Sequence, residues 1–158
     1  MRKRIVGPHP SQQGGQSDKG WLNLEQIATV EVTSEDPSFP IEYALGSNDG
    51  PGWRAAFPGK QRIRLVFEPP QSIQRMRLQF NELEVARTQE FTVRWSGGPG
   101  EPLREVIRQQ WNFSPDGSTT ETEDYVVNLQ AVSILELTID PDRGAGEALA
   151  TLADWRLG

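Results

Sequence analysis

The segment Arg108-Gln109-Gln110-Trp111-Asn112-Phe113-Ser114-Pro115 places a guanidinium, an indole and a carboxamide within five residues, just before the turn Asp116-Gly117-Ser118. Sugar recognition needs a flat apolar surface for the C–H face of a ring and planar polar groups for adjacent hydroxyls. Trp111 can supply the first, and Arg108 and Asn112 the second. The link Asn81-Glu82-Leu83-Glu84-Val85-Ala86-Arg87-Thr88 adds Glu82 and Arg87, which could complete the same rim. The plainer reading is that Trp111 and Phe113, two apart and so on one face of a strand, both point into a core.

Catalytic chemistry is thinly provided. The acids Glu82/Glu84, Glu121/Glu123/Asp124 and Asp140/Asp142 could form a general acid and a general base for glycoside hydrolysis. They lie in hydrophilic segments and are expected to be solvated charges, so the chain is expected not to be an enzyme. There is no Cys, which excludes disulfides, thiolate metal sites and a Cys nucleophile. The single His, His9, lies in a Gly/Gln/Ser-rich leader, so the body of the chain has no His for a Ser-His-Asp triad or an imidazole metal cage. With 16 Lys plus Arg against 22 Asp plus Glu, the formal net charge is -6, a field that repels phosphate backbones. Nucleic acid is therefore not an expected partner. No window approaches the roughly 20 apolar residues of a membrane span. The basic start Met1-Arg2-Lys3-Arg4 lacks the apolar run of a signal peptide, and a cytoplasmic location is expected.

The elements that must position these groups read as strands. Residues 1–20 offer almost nothing apolar to bury and are expected to form a disordered tail, with the folded domain at 21–158. Fifteen Gly and 12 Pro argue for many turns. Period-two alternation marks 62–67, 75–80 and 91–95 as half-buried strands, with Leu65, Phe67, Leu78, Phe80, Val93 and Trp95 inward and Arg64, Arg77 and Arg94 outward. The Glu68-Pro69-Pro70-Gln71 link cannot continue a central ladder. Further strands are expected at 27–33, 41–45, 104–113, 125–129 and 134–139. Residues 82–89, 103–111 and 147–156 also fit helical spacing, but the surrounding strands favour an antiparallel β-sandwich. Arg62, Arg64, Arg75 and Arg77 then form an outer row, either for an anionic polymer or, more simply, balanced by acids across the strands.

The ordered set of pieces resembles the discoidin or coagulation-factor type C domains, the galactose-binding-domain-like jelly rolls. The resemblance is carried by Ala28 to Leu45 with Gly52-Trp53-Arg54-Ala55, then Gln61 to Phe67, Ile73 to Phe80, Phe91 to Ser96 and the closing Thr151-Leu152-Ala153-Asp154-Trp155-Arg156-Leu157-Gly158. It implies an all-β, eight-stranded jelly roll whose loops at one rim bind a ligand, often a sugar and sometimes a lipid head group or a protein. It also implies that Trp53 is a buried rim residue, its indole N–H on a loop carbonyl. Many sugar-binding members hold a structural calcium through a loop with an Asp and a Thr. Here Gly46 stands for that Asp and Pro51 for the Thr. Asn48, Asp49 and Asp154 could rebuild an oxygen site for Ca2+ with backbone carbonyls; the alternative is an Asx turn that simply closes the loop. No other cofactor is expected.

Together these readings point to a non-catalytic binding domain whose partner is a carbohydrate. The alternative is an intracellular protein-docking module of the same fold, favoured by the missing calcium motif and the missing signal peptide.

Overall fold

Strand alternation organises the molecule. The computed structural model describes residues 2–4, 20–46, 50–144 and 146–158. Among them, nine strands run in the order β1 Arg2–Arg4, β2 Ala28–Val32, β3 Trp53–Arg54, β4 Gln61–Asn81, β5 Arg87–Ser96, β6 Arg104–Phe113, β7 Thr120–Asp140, β8 Thr151–Leu152 and β9 Asp154–Leu157. Two single helical turns, α1 Leu24–Ile27 and α2 Glu42–Leu45, flank β2.

All the pairing is antiparallel, and β4 and β7 are long enough, at 21 residues each, to serve both layers of a sandwich. The first half of β4 pairs with β2 and the end of β7, as in Val30↔Leu65 and Leu65↔Leu135. Its second half pairs with β9 and the start of β7, as in Leu78↔Trp155 and Leu78↔Glu123. Between these halves the register shifts at Val66/Gln71, Gln71/Ile73 and Ile73/Arg75. The buried positions accordingly change from Ile63, Leu65, Phe67 and Ile73 to Met76, Leu78 and Phe80. Bulges of this kind let one strand turn a corner into the opposite layer. Pro69 and Pro70, which cannot donate to a ladder, sit in that corner. One layer is thus β1-β2-β4-β7-β5-β6 and the other β9-β4-β7, with β3 and β8 paired separately.

The layers meet where the Phe80 ring lies 5.1 Å from that of Phe91. Trp53 and Trp155 are fully buried in the same core, and the Trp53 indole N–H donates to the Ser34 carbonyl at 3.1 Å, as expected. Leu65, Phe67, Leu78, Phe80 and Val93 are buried as expected. Trp95 is only half-buried, because the β5–β6 register shifts after Val93 and re-aims the residues that follow. The outer arginines are matched across the strands: Arg64 lies 2.6 Å from Glu136 and Arg77 2.7 Å from Asp124, while the Arg75 guanidinium stacks 3.9 Å from the Trp21 ring.

Further expectations are corrected. The strands expected at 62–67 and 75–80 are one strand, β4, which runs through Glu68-Pro69-Pro70-Gln71, and those expected at 125–129 and 134–139 are one strand, β7. Residues 41–45 hold helix α2 rather than a strand: Tyr43 donates to the Pro40 carbonyl, and Ala44 and Gly46 donate back to Ile41 and Glu42. Arg2–Arg4, placed in the expected tail, runs antiparallel to β2, whose outer backbone groups would otherwise lack a strand partner. Apart from these three residues and Gly20, the tail lies outside the described residues. No described helix is long and apolar enough to cross a membrane.

Candidate functional site

The strand ends Asn81, Arg87, Phe113, Thr120 and Asp140 gather at one rim through the registers Asn81↔Thr120, Arg87↔Phe113 and Glu90↔Asp140. A cleft of about 610 Å³ opens there, within the range of about 300–1,000 Å³ usual for ligand pockets. Its walls come from three segments far apart in sequence: Phe39 with 51–54, the link 81–85, and 147–153.

The link between β4 and β5 is held by a single carboxylate. Glu82 accepts from the backbone N–H of Glu84 and of Val85 at 3.0 and 3.2 Å, and pairs with Arg87 at 2.8 Å. Arg87 is buried beneath it and donates onward to the Pro141 carbonyl at 2.8 Å and to Gln89 at 3.1 Å, over the face of Phe113. The turn so anchored leaves Leu83 69% and Val85 44% exposed, an apolar ledge in an otherwise hydrophilic link. Across the cleft, Arg54 pairs with Asp36 at 2.9 Å, and its guanidinium lies 4.1 Å from the Phe39 ring. Its Nε is shielded from solvent with no hydrogen-bond partner. The Ser38 N–H, and then Arg54, hold the Asp36 carboxyl below its ordinary value. Gly52, at φ +92, brings this loop onto the backbone of Leu152 and Ala153, where a Cβ would meet the Leu152 carbonyl at 2.7 Å.

The structure distributes the expected site residues unevenly. Glu82 lines the cleft, with Arg87 buried behind it. Arg108, Trp111 and Asn112 lie elsewhere, on β6, and alternation puts them on opposite faces. Trp111 packs inward beside the core, its indole N–H buried without a partner. Asn112 faces outward and accepts from Thr88 at 2.7 Å, and Arg108 faces outward against Glu105 and Glu90 at 2.8 and 3.2 Å. Trp111 and Asn112 do share a separate shallow hollow with Gln110 and Ser118. Of the expected metal ligands, Asn48 and Asp49 lie outside the described residues, and both carboxylate oxygens of Asp154 accept from Arg156 Nε, at 3.1 and 2.9 Å. Among the described residues there is no group of three His, Cys, Asp or Glu that could hold a metal. The cleft's own Leu83, Val85, Arg54 and Glu147 were not among the expected residues; the signal for the first two was a pair of apolar residues in a charged strand-to-strand link.

One acid of β7 also departs from expectation. Glu121 is fully buried, not solvated, with Gln89 donating to it at 3.2 Å and its second oxygen unpartnered. Burial pushes it up to about 9, the neighbouring Glu123 adds to the rise, and the Gln89 hydrogen bond and the Arg87 charge oppose it. Tyr125 is raised as well, by burial and then by Glu123 and Glu121. This polar group lies between the layers and does not line the cleft.

No protein-family model and no curated protein sequence matches the chain. Solved structures do. The family 32 carbohydrate-binding module of NanJ from Clostridium perfringens, in complex with galactose, matches with a TM-score of 0.55 at 13% identity, over 82% of this chain and 92% of that one. Chitosan-binding module 1 of a chitosanase/glucanase from Paenibacillus sp. IK-5 matches with a TM-score of 0.59 at 16% identity, over 86% and 98%. The family 32 module of AlyQ, in complex with 4,5-unsaturated mannuronic acid, matches with a TM-score of 0.57 at 14% identity, over 84% and 95%. The chain has the galactose-binding-domain-like jelly-roll fold that these carbohydrate-binding modules share.

Proposed function

We propose that this chain is a non-catalytic carbohydrate-binding domain whose ligand occupies the rim cleft. The observation that carries the reading is one cleft combining the exposed apolar ledge of Leu83 and Val85 with the Arg54 guanidinium and the carboxylates of Glu84 and Glu147. Sugar rings offer C–H faces and hydroxyls together, and a site for them needs both kinds of surface. The fold supports the reading, since its structural neighbours include modules that bind galactose, chitosan and an unsaturated mannuronic acid. The buried Glu121, the carboxyl most displaced in its titration among the described residues, stands apart from the cleft, which favours binding over acid–base chemistry.

Calorimetric titration with a panel of neutral, amino and acidic oligosaccharides tests this. Single sites of this kind are expected to show dissociation constants of about 10 μM to 1 mM, or roughly 4–7 kcal/mol. Leu83→Asp and Arg54→Ala are each expected to weaken binding at least about tenfold, the first with the melting temperature unchanged and the second with a small loss from its Asp36 pair and Phe39 contact. Unchanged affinity in both variants would remove the cleft from the function.

A second reading is a protein-docking module. It is favoured by Val126, 94% exposed on the half of β7 that pairs on one side only, with β4. A stoichiometric partner released by Val126→Glu would support it.

A further inference from the structure

We infer that the cleft selects glycans carrying free amines over glycans carrying carboxylates or sulfates, an inference that rests on the carbohydrate-binding reading above. The charges that line the cleft do not cancel. Arg54 is matched by Asp36 at 2.9 Å, and its guanidinium is further occupied by the Phe39 face at 4.1 Å. Glu82 is matched by Arg87 at 2.8 Å, and that Arg is buried beneath the link rather than presented to the cleft. Two carboxylates remain, Glu84 from the link and Glu147 from the segment before β8. Both are exposed, and neither has an ion pair among the described residues.

A concave site with low-dielectric walls concentrates the field of such charges, and the chain's net charge of -6 acts in the same direction. An ammonium on the ligand gains from both carboxylates, whereas a uronate or sulfate meets two like charges and a guanidinium already shared. Leu83, Val85 and Phe39 offer apolar surface to the ring faces of any sugar, so charge is what separates the classes. Exposed ion pairs are individually weak, and two of them amount to a preference of roughly three- to tenfold.

The test uses the full chain at pH 6 and low salt, titrated with a glucosamine oligomer, its fully N-acetylated counterpart of equal length, an oligogalacturonide, and galactose. The glucosamine oligomer is expected to bind roughly three- to tenfold tighter than the N-acetylated one, and the oligogalacturonide weakest. Raising salt to about 0.5 M should shrink that preference, a readout that needs no variant. Glu84→Gln/Glu147→Gln should bring the amine-to-acetyl ratio towards one. The control Glu68→Gln/Glu101→Gln, an equal charge change at the opposite end of the sandwich, should leave the ratio as it is. Equal or tighter binding of the N-acetylated oligomer or of the oligogalacturonide overturns the amine selectivity and leaves carbohydrate binding standing. A preference that shrinks equally in the control overturns the assignment to the cleft. Binding of none of the four overturns both readings.

Discussion

Gln89 donates its side-chain amide to Glu121 at 3.2 Å, joining β5 in one layer to β7 in the other, and both residues are shut off from solvent. Burial there outweighs the Gln89 hydrogen bond, which favours the charged form, and keeps the carboxyl neutral.

The first prediction is a pH dependence of stability. Glu121 rises from an ordinary value of 4.5 to about 9, chiefly through burial. The folded chain therefore keeps a proton that the unfolded chain releases, so the associated stability is fully present below about pH 4.5 and is lost as pH climbs towards 9. Melting temperatures should fall across about pH 5–9 in the parent. In Glu121→Gln, neutral throughout, the fall should be shallower and the protein more stable than the parent at pH 8. Identical slopes would clear Glu121 of the effect.

Arg87 anchors the cleft from below through Glu82, Gln89 and the Pro141 carbonyl. Removing one partner of a buried ion pair strands the other, so Arg87→Ala is expected to cost about 3–5 kcal/mol in urea denaturation. Arg87→Met, which keeps the length but not the charge, should lose nearly as much, because the Glu82 carboxylate is left without its cation in either case. A loss below about 1 kcal/mol would mean that the network is not what holds the link.

Trp111 and its neighbour Asn112 should behave differently although they are adjacent. Trp111 packs against the core and Asn112 faces solvent. Trp111→Ala is expected to cost about 2–3 kcal/mol through lost burial, less than for a fully buried Trp, and Asn112→Ala within about 0.5 kcal/mol. Equal effects on stability would contradict the opposite facing of the two side chains.

Ala131 sits at the β7 bend with φ +57, a left-handed conformation that a Cβ disfavours. Ala131→Gly should relieve this and stabilise the protein by roughly 0.5–1 kcal/mol, the strain relief exceeding the added freedom of the unfolded chain. A destabilised variant in a chemical-denaturation series would show that the bend carries no such strain.

Strands could be read locally because burial on one face of a strand imposes a period of two on adjacent residues. Ile63-Arg64-Leu65-Val66-Phe67 shows it, and β6 appears at Arg104–Phe113 as the sequence predicts. The same alternation already separates Trp111 from Arg108 and Asn112, so their division between two faces was legible in the chain. Helix α2 was not, because Ile41-Glu42-Tyr43-Ala44-Leu45 suits either a strand or a turn of helix, and its local hydrogen bonds decide between them. The order of the pieces along the chain, and the all-β class they imply, were thus determined by the sequence alone. Which acids are buried and which segments share a cleft were decided only in three dimensions. Glu121 looks like any charged residue in Thr120-Glu121-Thr122-Glu123 until the bend in β7 carries that half of the strand into the second layer, with Glu121 against Gln89. The cleft has no local signature either: Arg54, Leu83 and Glu147 meet because the β4–β5 link, the end of β3 and the segment before β8 are brought to one rim, and nothing in the neighbours of any one of them encodes the other two.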